Sequence, residues 1–258
     1  MSLFVSLPVL VVMGIMPSLI WLVFYLTKDA HPEPKRFLVI TFLLGMLITP
    51  IVAFIETNIN CVVSSSHSST LCIFSNSTPP LFVFTSSIIF IFLISAFIEE
   101  ISKFLVVRFT VWKKRAFDEP VDSMIYLIVS ALGFAAAENI LAAIGLHLQI
   151  GSFADSYESV IQLLILRFVG ATLLHTFASG IIGYFVALHH FHIRKTAKRS
   201  FLLIRGFIYA TIIHALFNIL IESSEQLSIP GFSLAVLAVI IIGFIIIMVD
   251  FNRLTKYT

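Results

Sequence analysis

Charged residues are scarce in this chain. Only 12% of its 258 residues are Asp, Glu, Lys or Arg, and 59% are hydrophobic, whereas an ordinary soluble domain carries roughly 25% charged residues. A globule of this length needs a polar surface to cover its core, and too few charges are present to form one. The composition excludes a soluble enzyme, a nucleic-acid-binding protein and a disordered protein, and it indicates a polytopic membrane protein.

Long polar segments are also lacking, whereas long apolar runs are frequent. A helix needs about 20 apolar residues to cross the hydrocarbon of a bilayer. Seven runs meet this requirement: 4–26, 37–57, 81–109, 123–146, 160–190, 202–221 and 232–250. They predict an all-α bundle of about seven spans in one integral membrane domain, 1–258. The first run lacks a basic flank and an A-x-A cleavage site, so we expect a membrane span there rather than a signal peptide.

Basic residues are absent from every second loop. The loops at 58–79, 147–159 and 222–231 contain no Lys or Arg, whereas 14 of the 16 basic residues lie on the other side and two lie inside spans. By the positive-inside rule this asymmetry predicts that the N-terminus is outside and the C-terminus inside. The chain has two cysteines, Cys61 and Cys72, both in one outer loop, where an oxidising compartment favours a disulfide.

Ionisable and amide side chains nevertheless occur inside four predicted spans, where charges are costly and mark function by default. Spans 3 to 6 carry these polar residues: Glu99, Glu100, Lys103, Glu138, Asn139, Arg167, His175, His214 and Asn218. A rise of about 1.5 Å per residue puts the groups of the four spans at similar depths. Small residues around Glu138 and His175 allow close helix approach. We therefore expect these polar groups to meet in the bundle interior.

The spacing in span 3 predicts different roles for the carboxylates of Glu99 and Glu100. Glu99 and Lys103 are four residues apart and share a helix face, and Lys103 also reaches Glu100 three residues before it. One glutamate can then be neutralised while the other stays available as a general base.

Spacing in the later spans is also informative. His214 and Asn218 are four residues apart, so an imidazole and an amide can reach a common point. For Arg167 two alternatives stay open, snorkelling to the interface and pairing with Glu138.

Carboxylates, two histidines and an asparagine in a partly apolar cavity suit amide hydrolysis by either of two mechanisms. Without metal, a glutamate takes a proton from water and His and Asn donors stabilise the oxyanion. With one zinc ion, His175, His214 and a carboxylate such as Glu138 hold the metal while a second glutamate acts as base. The chain lacks HExxH, GxSxG, GxGD and GxSG motifs, which excludes zincins, α/β-hydrolases and the usual aspartyl and serine intramembrane proteases.

Four motifs resemble those of the PrsW family of intramembrane proteases. In order they are EExxK at 99–103, Asp122 and Tyr126 with GFAAAEN at 133–139, Arg167 with His175, and HxxxN at 214–218. The core that resembles the family spans about 81–221. Ser123 stands where the family pattern has Gly after the Asp, and Lys103 favours PrsW over the wider group, whose first motif is EExxxR.

The resemblance implies an endopeptidase of prokaryotic plasma membranes. Its partners would be membrane lipids and a single-span or membrane-adjacent protein, such as an anti-sigma factor cut on the outer side. Glu99 or Glu100 would be the base, with His175 and His214 as metal ligands or oxyanion donors. Glu138 would be a third ligand or an orienting group, and Asn218 a donor. Five further residues would support the site: Lys103, Asn139, Arg167, Asp122 and Tyr126.

Other functions remain open for such a polar cluster. The wider group contains CAAX-type prenyl-protein endopeptidases, Abi proteins and a non-catalytic scaffold, so a membrane scaffold or chaperone is the main alternative. A CAAX-type prenyl-protein endopeptidase is a further one. A proton-coupled transporter is the third, because Glu and His chains relay protons, although the chain shows no repeat and no pair of broken helices.

Overall fold

The structure is a computed structural model that describes residues 3–29, 31–64, 86–151, 153–191, 200–227 and 230–257. Every regular element in these ranges is an α-helix. In chain order the helices are α1 (Leu3–Leu26), α2 (Lys35–Ser64), α3 (Ser86–Thr110), α4 (Pro120–Ile150), α5 (Phe153–Val169), α6 (Ala171–His190), α7 (Ser200–Leu227) and α8 (Pro230–Leu254). The side chains of Cys61 and Cys72, and hence the predicted disulfide, lie outside the described part.

The predicted all-α membrane architecture is confirmed. Within the described ranges, six helical segments are long and apolar enough to cross a membrane: Ser6–Leu26, Lys35–Ile59, Pro120–Ile150, Ser156–His190, Phe201–Ser224 and Ser233–Leu254. The remaining helix, α3, has a comparable length of 25 residues but carries Glu99, Glu100, Lys103 and Arg108. The orientation of the termini stays a prediction.

The apolar run 160–190, expected as one span, lies within the single candidate span Ser156–His190, but its helix is interrupted at Gly170. α5 ends at Val169 and α6 begins at Ala171, while Gly170 between them has a non-helical ψ of −94°. Glycine adopts such a conformation at little steric cost. The indole Nε1 of Trp21 donates a 2.9 Å hydrogen bond to the Phe168 carbonyl beside the break, which satisfies a backbone group where water is scarce.

α4 is the central helix of the bundle. Its side chains are buried continuously from Pro120 to Ala137, and six helices pack against it: α1, α2, α3, α5, α6 and α8. The run 133–137 reads GFAAA, and such small side chains let neighbouring backbones come close. This position brings Glu138 and Asn139, which follow the run, next to several other helices.

The contact between α2 and α4 is a direct backbone approach through two glycines. A Cβ atom on Gly133 would lie 2.0 Å from the Phe42 carbonyl oxygen, and one on Gly45 would lie 2.3 Å from the Ser130 carbonyl oxygen. Neither position can hold a larger residue without moving the helices apart.

A second polar cluster lies at the start of α4, away from the residues that follow the GFAAA run. Tyr126 donates a 2.6 Å hydrogen bond from its hydroxyl to Glu33 Oε2, which ties the α1–α2 loop to α4. Asp122 accepts hydrogen bonds from the amides of Asp118 and Glu119 and so caps the helix N-terminus. Burial and the neighbouring Asp122 carboxyl raise the pKa of Glu33 to about 8.

Gly133→Ala is expected to lower the stability of the folded bundle. Its Cβ meets the Phe42 carbonyl, and overpacking of this kind costs about 1–3 kcal/mol. Gly145→Ala on the same helix is the matched control, because a Cβ there meets nothing within 4 Å. The measurement is the thermal unfolding midpoint in detergent. Equal midpoints for the two variants would contradict the close α2–α4 approach.

The raised pKa of Glu33 predicts that the stability of the fold depends on pH. Its pKa rises from 4.5 in the unfolded chain to about 8 in the fold, so the fold binds the proton more tightly. This contribution to the free energy of unfolding is complete below about pH 4.5 and is lost as the pH rises through about 8.

Glu33→Gln should therefore flatten the decline of the unfolding midpoint over this pH range. Thermal unfolding in detergent, measured at steps from low to high pH, tests the prediction, with Glu158→Gln as the exposed control. A slope as steep in Glu33→Gln as in the wild type would refute the assignment.

Candidate active site

Lys103 lies at the centre of a buried polar cluster formed by α3, α4, α6 and α7. Its side chain is 0% exposed. The ammonium donates to Glu100 Oε1 at 2.7 Å, to His175 Nδ1 at 2.8 Å and to Glu99 Oε2 at 3.3 Å. An ammonium group has three donors, and all three have an acceptor. The expected pairing of Lys103 with both glutamates of α3 is thus present.

The two glutamates of α3 differ in their surroundings. Glu100 is fully buried and, besides Lys103, accepts hydrogen bonds from the Ser179 hydroxyl at 2.8 Å and from His214 Nδ1 at 3.0 Å. Glu99 has only the longer bond from Lys103 among the described residues. Glu100 is therefore held in place, whereas Glu99 keeps acceptor capacity.

Hydrogen-bond chemistry assigns the tautomer of His175. An ammonium can only donate, so Nδ1 accepts from Lys103 and the ring proton is on Nε2. That N–H donates to Glu138 Oε2 over 2.7 Å. The arrangement holds a neutral imidazole with Nδ1 directed at the glutamates of α3, and a carboxylate on the outer ring nitrogen is typical of metal-binding histidines.

Arg167 pairs with Glu138, which decides between the two alternatives left open by the sequence. Its Nη2 donates to Glu138 Oε2 at 3.1 Å, and its Nε donates to Asn139 Oδ1 at 2.6 Å. Asn139 in turn donates to the Thr172 hydroxyl. Arg167 therefore fixes the carboxylate that holds His175.

Both imidazoles face the same carboxylate oxygen. His175 Nδ1 and His214 Nε2 each lie 3.7 Å from Glu99 Oε2, and the rings are T-shaped with centroids 5.1 Å apart. His214 donates from Nδ1 to Glu100, which leaves its Nε2 as an acceptor. A water molecule or an ion near Glu99 would meet acceptor atoms from three helices.

Four of these side chains could bind a metal ion together. Glu99, Glu100, His175 and His214 each offer a ligand atom, and these atoms all lie within 4.8 Å of one another. Imidazole nitrogens and carboxylate oxygens are donors that zinc accepts. Glu138, the carboxylate named with the histidines in the sequence, is not in this group of described residues and instead orients His175.

Three expected site residues lie apart from the cluster. Asn218 is one turn beyond His214 on α7, is partly exposed and makes no side-chain hydrogen bond to another described residue. Asp122 and Tyr126 belong to the cluster at the start of α4, and Asp122 precedes Glu138 by about 24 Å of helix. Sequence motifs group these residues, but the fold does not bring Asp122 or Tyr126 to Lys103.

One acidic residue near the cluster was missed in the sequence. Glu56 of α2 lines a cleft of about 240 Å³ together with Phe134, Glu138 and Arg167. In the sequence, Glu56 is a single carboxylate near the end of the second apolar run, a position typical of a residue at the membrane interface.

A family model described as PrsW family intramembrane metalloprotease matches residues 33–249. The chain belongs to this family. It is therefore an integral membrane protein and a protease, and the resemblance of its four motifs to this family is confirmed. No solved structure matches the chain.

Three curated relatives carry the name Protease PrsW. The protein of Geobacillus kaustophilus is 26% identical over 83% of this chain and 80% of its own length. The protein of Clostridioides difficile is 24% identical over 96% of this chain and 91% of its own. The protein of Oceanobacillus iheyensis is 26% identical over 81% of each chain.

Glu100→Gln is expected to destabilise the fold far more than Glu99→Gln. Gln keeps one acceptor oxygen, but it replaces the other with a donor and removes the negative charge that balances Lys103. Removing one partner of a buried ion pair costs about 3–5 kcal/mol. Glu99 has one long hydrogen bond, so its loss disturbs less. Chemical unfolding in detergent measures both variants. Equal losses would show that the two glutamates share the structural role.

Proposed function

We propose that the protein hydrolyses peptide bonds of single-span or membrane-adjacent proteins, with Glu99 as the proton acceptor. The observation that carries the proposal is the position of Glu99 Oε2, 3.7 Å from His175 Nδ1 and 3.7 Å from His214 Nε2. A carboxylate with spare acceptor capacity beside two imidazoles suits activation of water for attack on an amide.

The residues have complementary roles in this reaction. Glu99 takes a proton from water at Oε2 while the water oxygen forms a bond to the carbonyl carbon of the substrate. His214 Nε2, which is an acceptor, holds the attacking water together with Glu99. The amide of Asn218, one turn further along α7, supplies a donor toward the developing oxyanion. The proton held by Glu99 then passes to the amide nitrogen as the C–N bond breaks. Water is consumed, and a carboxylic acid and an amine are released.

Lys103 and the remaining carboxylates hold the reacting groups. The ammonium of Lys103 hydrogen-bonds both Glu99 and Glu100 and so offsets the repulsion between the two carboxylates. Glu138 and Glu100 fix one imidazole each, which sets the direction of the ring nitrogens. Glu100 and Glu138 position the two imidazoles, whereas Lys103 also contacts a reacting atom, Glu99 Oε2, at 3.3 Å.

The donor set fits a metal ion, which the word metalloprotease in the family description implies. His175, His214 and one carboxylate of the Glu99–Glu100 pair would hold the ion, and zinc is one metal that such nitrogen and oxygen ligands bind. When bound, a zinc ion lowers the pKa of a coordinated water and polarises the substrate carbonyl. Lys103 contacts three of the same four residues, so ion and ammonium compete for these atoms.

Burial of the cluster constrains the substrate. Glu99 is 5% exposed and His214 1% exposed, so a folded soluble protein cannot reach them. An extended segment that enters between helices can, which supports a substrate with a membrane span or a segment beside one. We propose the plasma membrane of a prokaryote as the location of the enzyme, which is supported by the organisms of the three relatives. An anti-sigma factor as the substrate stays a prediction.

Glu99→Gln should reduce cleavage of a single-span reporter protein at least about 100-fold, the usual contribution of a general base. The fold should persist because Glu99 makes only one long hydrogen bond. The measurement is product formation in proteoliposomes containing the full-length enzyme. Glu158→Gln is the control, since this glutamate is exposed on α5.

Metal analysis of the same preparations separates the two mechanisms. About one zinc ion per chain in the wild type, lost in His175→Ala/His214→Ala, would support a metal-dependent reaction. Reporter cleavage by folded Glu99→Gln at the wild-type rate would sink the assignment of Glu99. A folded wild type that cleaves no reporter would favour the scaffold alternative.

A further inference from the structure

Glu56 lies in the cleft that leads to the polar cluster. The cleft has a volume of about 240 Å³ and is lined by residues of α2, α4 and α5, among them Glu56, Glu138 and Arg167. It adjoins the cluster directly, because Glu138 contacts His175 at 2.7 Å and the Phe134 ring lies 5.6 Å from the His175 ring. A substrate segment in this cleft would be next to the reacting groups.

Ser95 hydrogen-bonds the carboxyl group of Glu56, but one of the two carboxylate oxygens is left without a partner. Glu56 Oε1 is buried and accepts no hydrogen bond from any described residue, and a carboxylate can only accept. An unsatisfied buried acceptor is costly, and a charge within a membrane span is costlier still. Such a group is expected to be satisfied when its ligand binds.

The charges around Glu56 favour a cation as that ligand. Its electrostatic neighbours are the carboxylates of Glu99 and Glu138 and the ammonium of Lys103, whose three donors are already used within the polar cluster. Arg167, the guanidinium of the cleft, is already committed to Glu138 and Asn139. Two carboxyl groups and one guanidinium therefore line the cleft, and a cation beside Glu56 would be the partner of its charged form.

We propose that Glu56 is a specificity-determining residue that binds a Lys or Arg side chain of the substrate. The inference rests on the proposed function and names the substrate feature that the same site selects. Ala53 and Leu141 supply apolar walls for the methylene groups of such a side chain. Glu56 is near the end of the candidate span Lys35–Ile59, so the charged end of such a side chain would lie close to the membrane surface.

The test uses full-length enzyme in proteoliposomes and a set of single-span reporter proteins. At each position flanking the cleaved bond, the reporters carry Lys, Gln or Glu in turn. Wild-type enzyme should prefer Lys over Gln at one position by about tenfold in kcat/KM, the size of one good ion pair at a partly buried site. Glu56→Gln should remove this preference, and Glu56→Lys should reverse it toward Glu.

Two control variants separate the effect of the Glu56 charge from general effects of substitution. Glu158→Gln changes a glutamate outside the cleft and should keep the wild-type preference. Glu56→Asp keeps the charge on a shorter side chain, and it should retain the sign of the preference even if Glu56→Gln fails to fold.

The possible failures are distinguishable. If active wild type shows no preference for Lys at any flanking position, or if folded Glu56→Gln keeps the preference, the inference about Glu56 is overturned and the proposed function stands. If folded wild type cleaves no reporter at all, the proposed function is overturned and the inference with it.

Discussion

The buried ammonium of Lys103 is the interaction on which the rest of the site depends. Two adjacent carboxylates would repel each other in a membrane interior, and an isolated charge there is strongly disfavoured. One cation with three donors joins Glu99, Glu100 and His175. The same contact fixes the His175 tautomer, which directs Glu138 and then Arg167. The hydrogen bonds of Lys103 therefore determine the positions of a connected series of polar side chains that runs from α3 to α5.

Much of this cluster could be predicted from the sequence, because charged side chains in apolar membrane spans must pair with one another in the interior of the bundle. The spacing of Glu99 and Lys103 gave their pairing, and helix rise gave the shared depth of His175 and His214. Residue spacing cannot predict which of two chemically identical side chains receives which hydrogen bonds. Glu99 and Glu100 are both glutamates, and Glu100 has the larger number of hydrogen bonds because Ser179 and His214, from other helices, donate to it.

Other features depend on tertiary contacts that no local pattern reveals. Gly170 interrupts an apolar run that reads as one span, and Trp21 of α1 satisfies the backbone there. Asp122 and Tyr126 belong to the same motif as Glu138, yet they serve the loop that carries Glu33. Glu56 reads as an ordinary interfacial acid until α4 and α5 close a cleft around it. In each case the deciding neighbour is remote in sequence.

The close approach of α2 to α4 divides α2 into two mechanically different parts. At Gly45 the first half lies against the Ser130 carbonyl, whereas Glu56 lies beyond Pro50, which is inside the helix. Proline removes a backbone hydrogen bond and weakens a helix at that turn. The carboxylate of the cleft is therefore carried beyond a less reinforced turn of α2, whereas the half of the helix before that turn is held by backbone contact with α4.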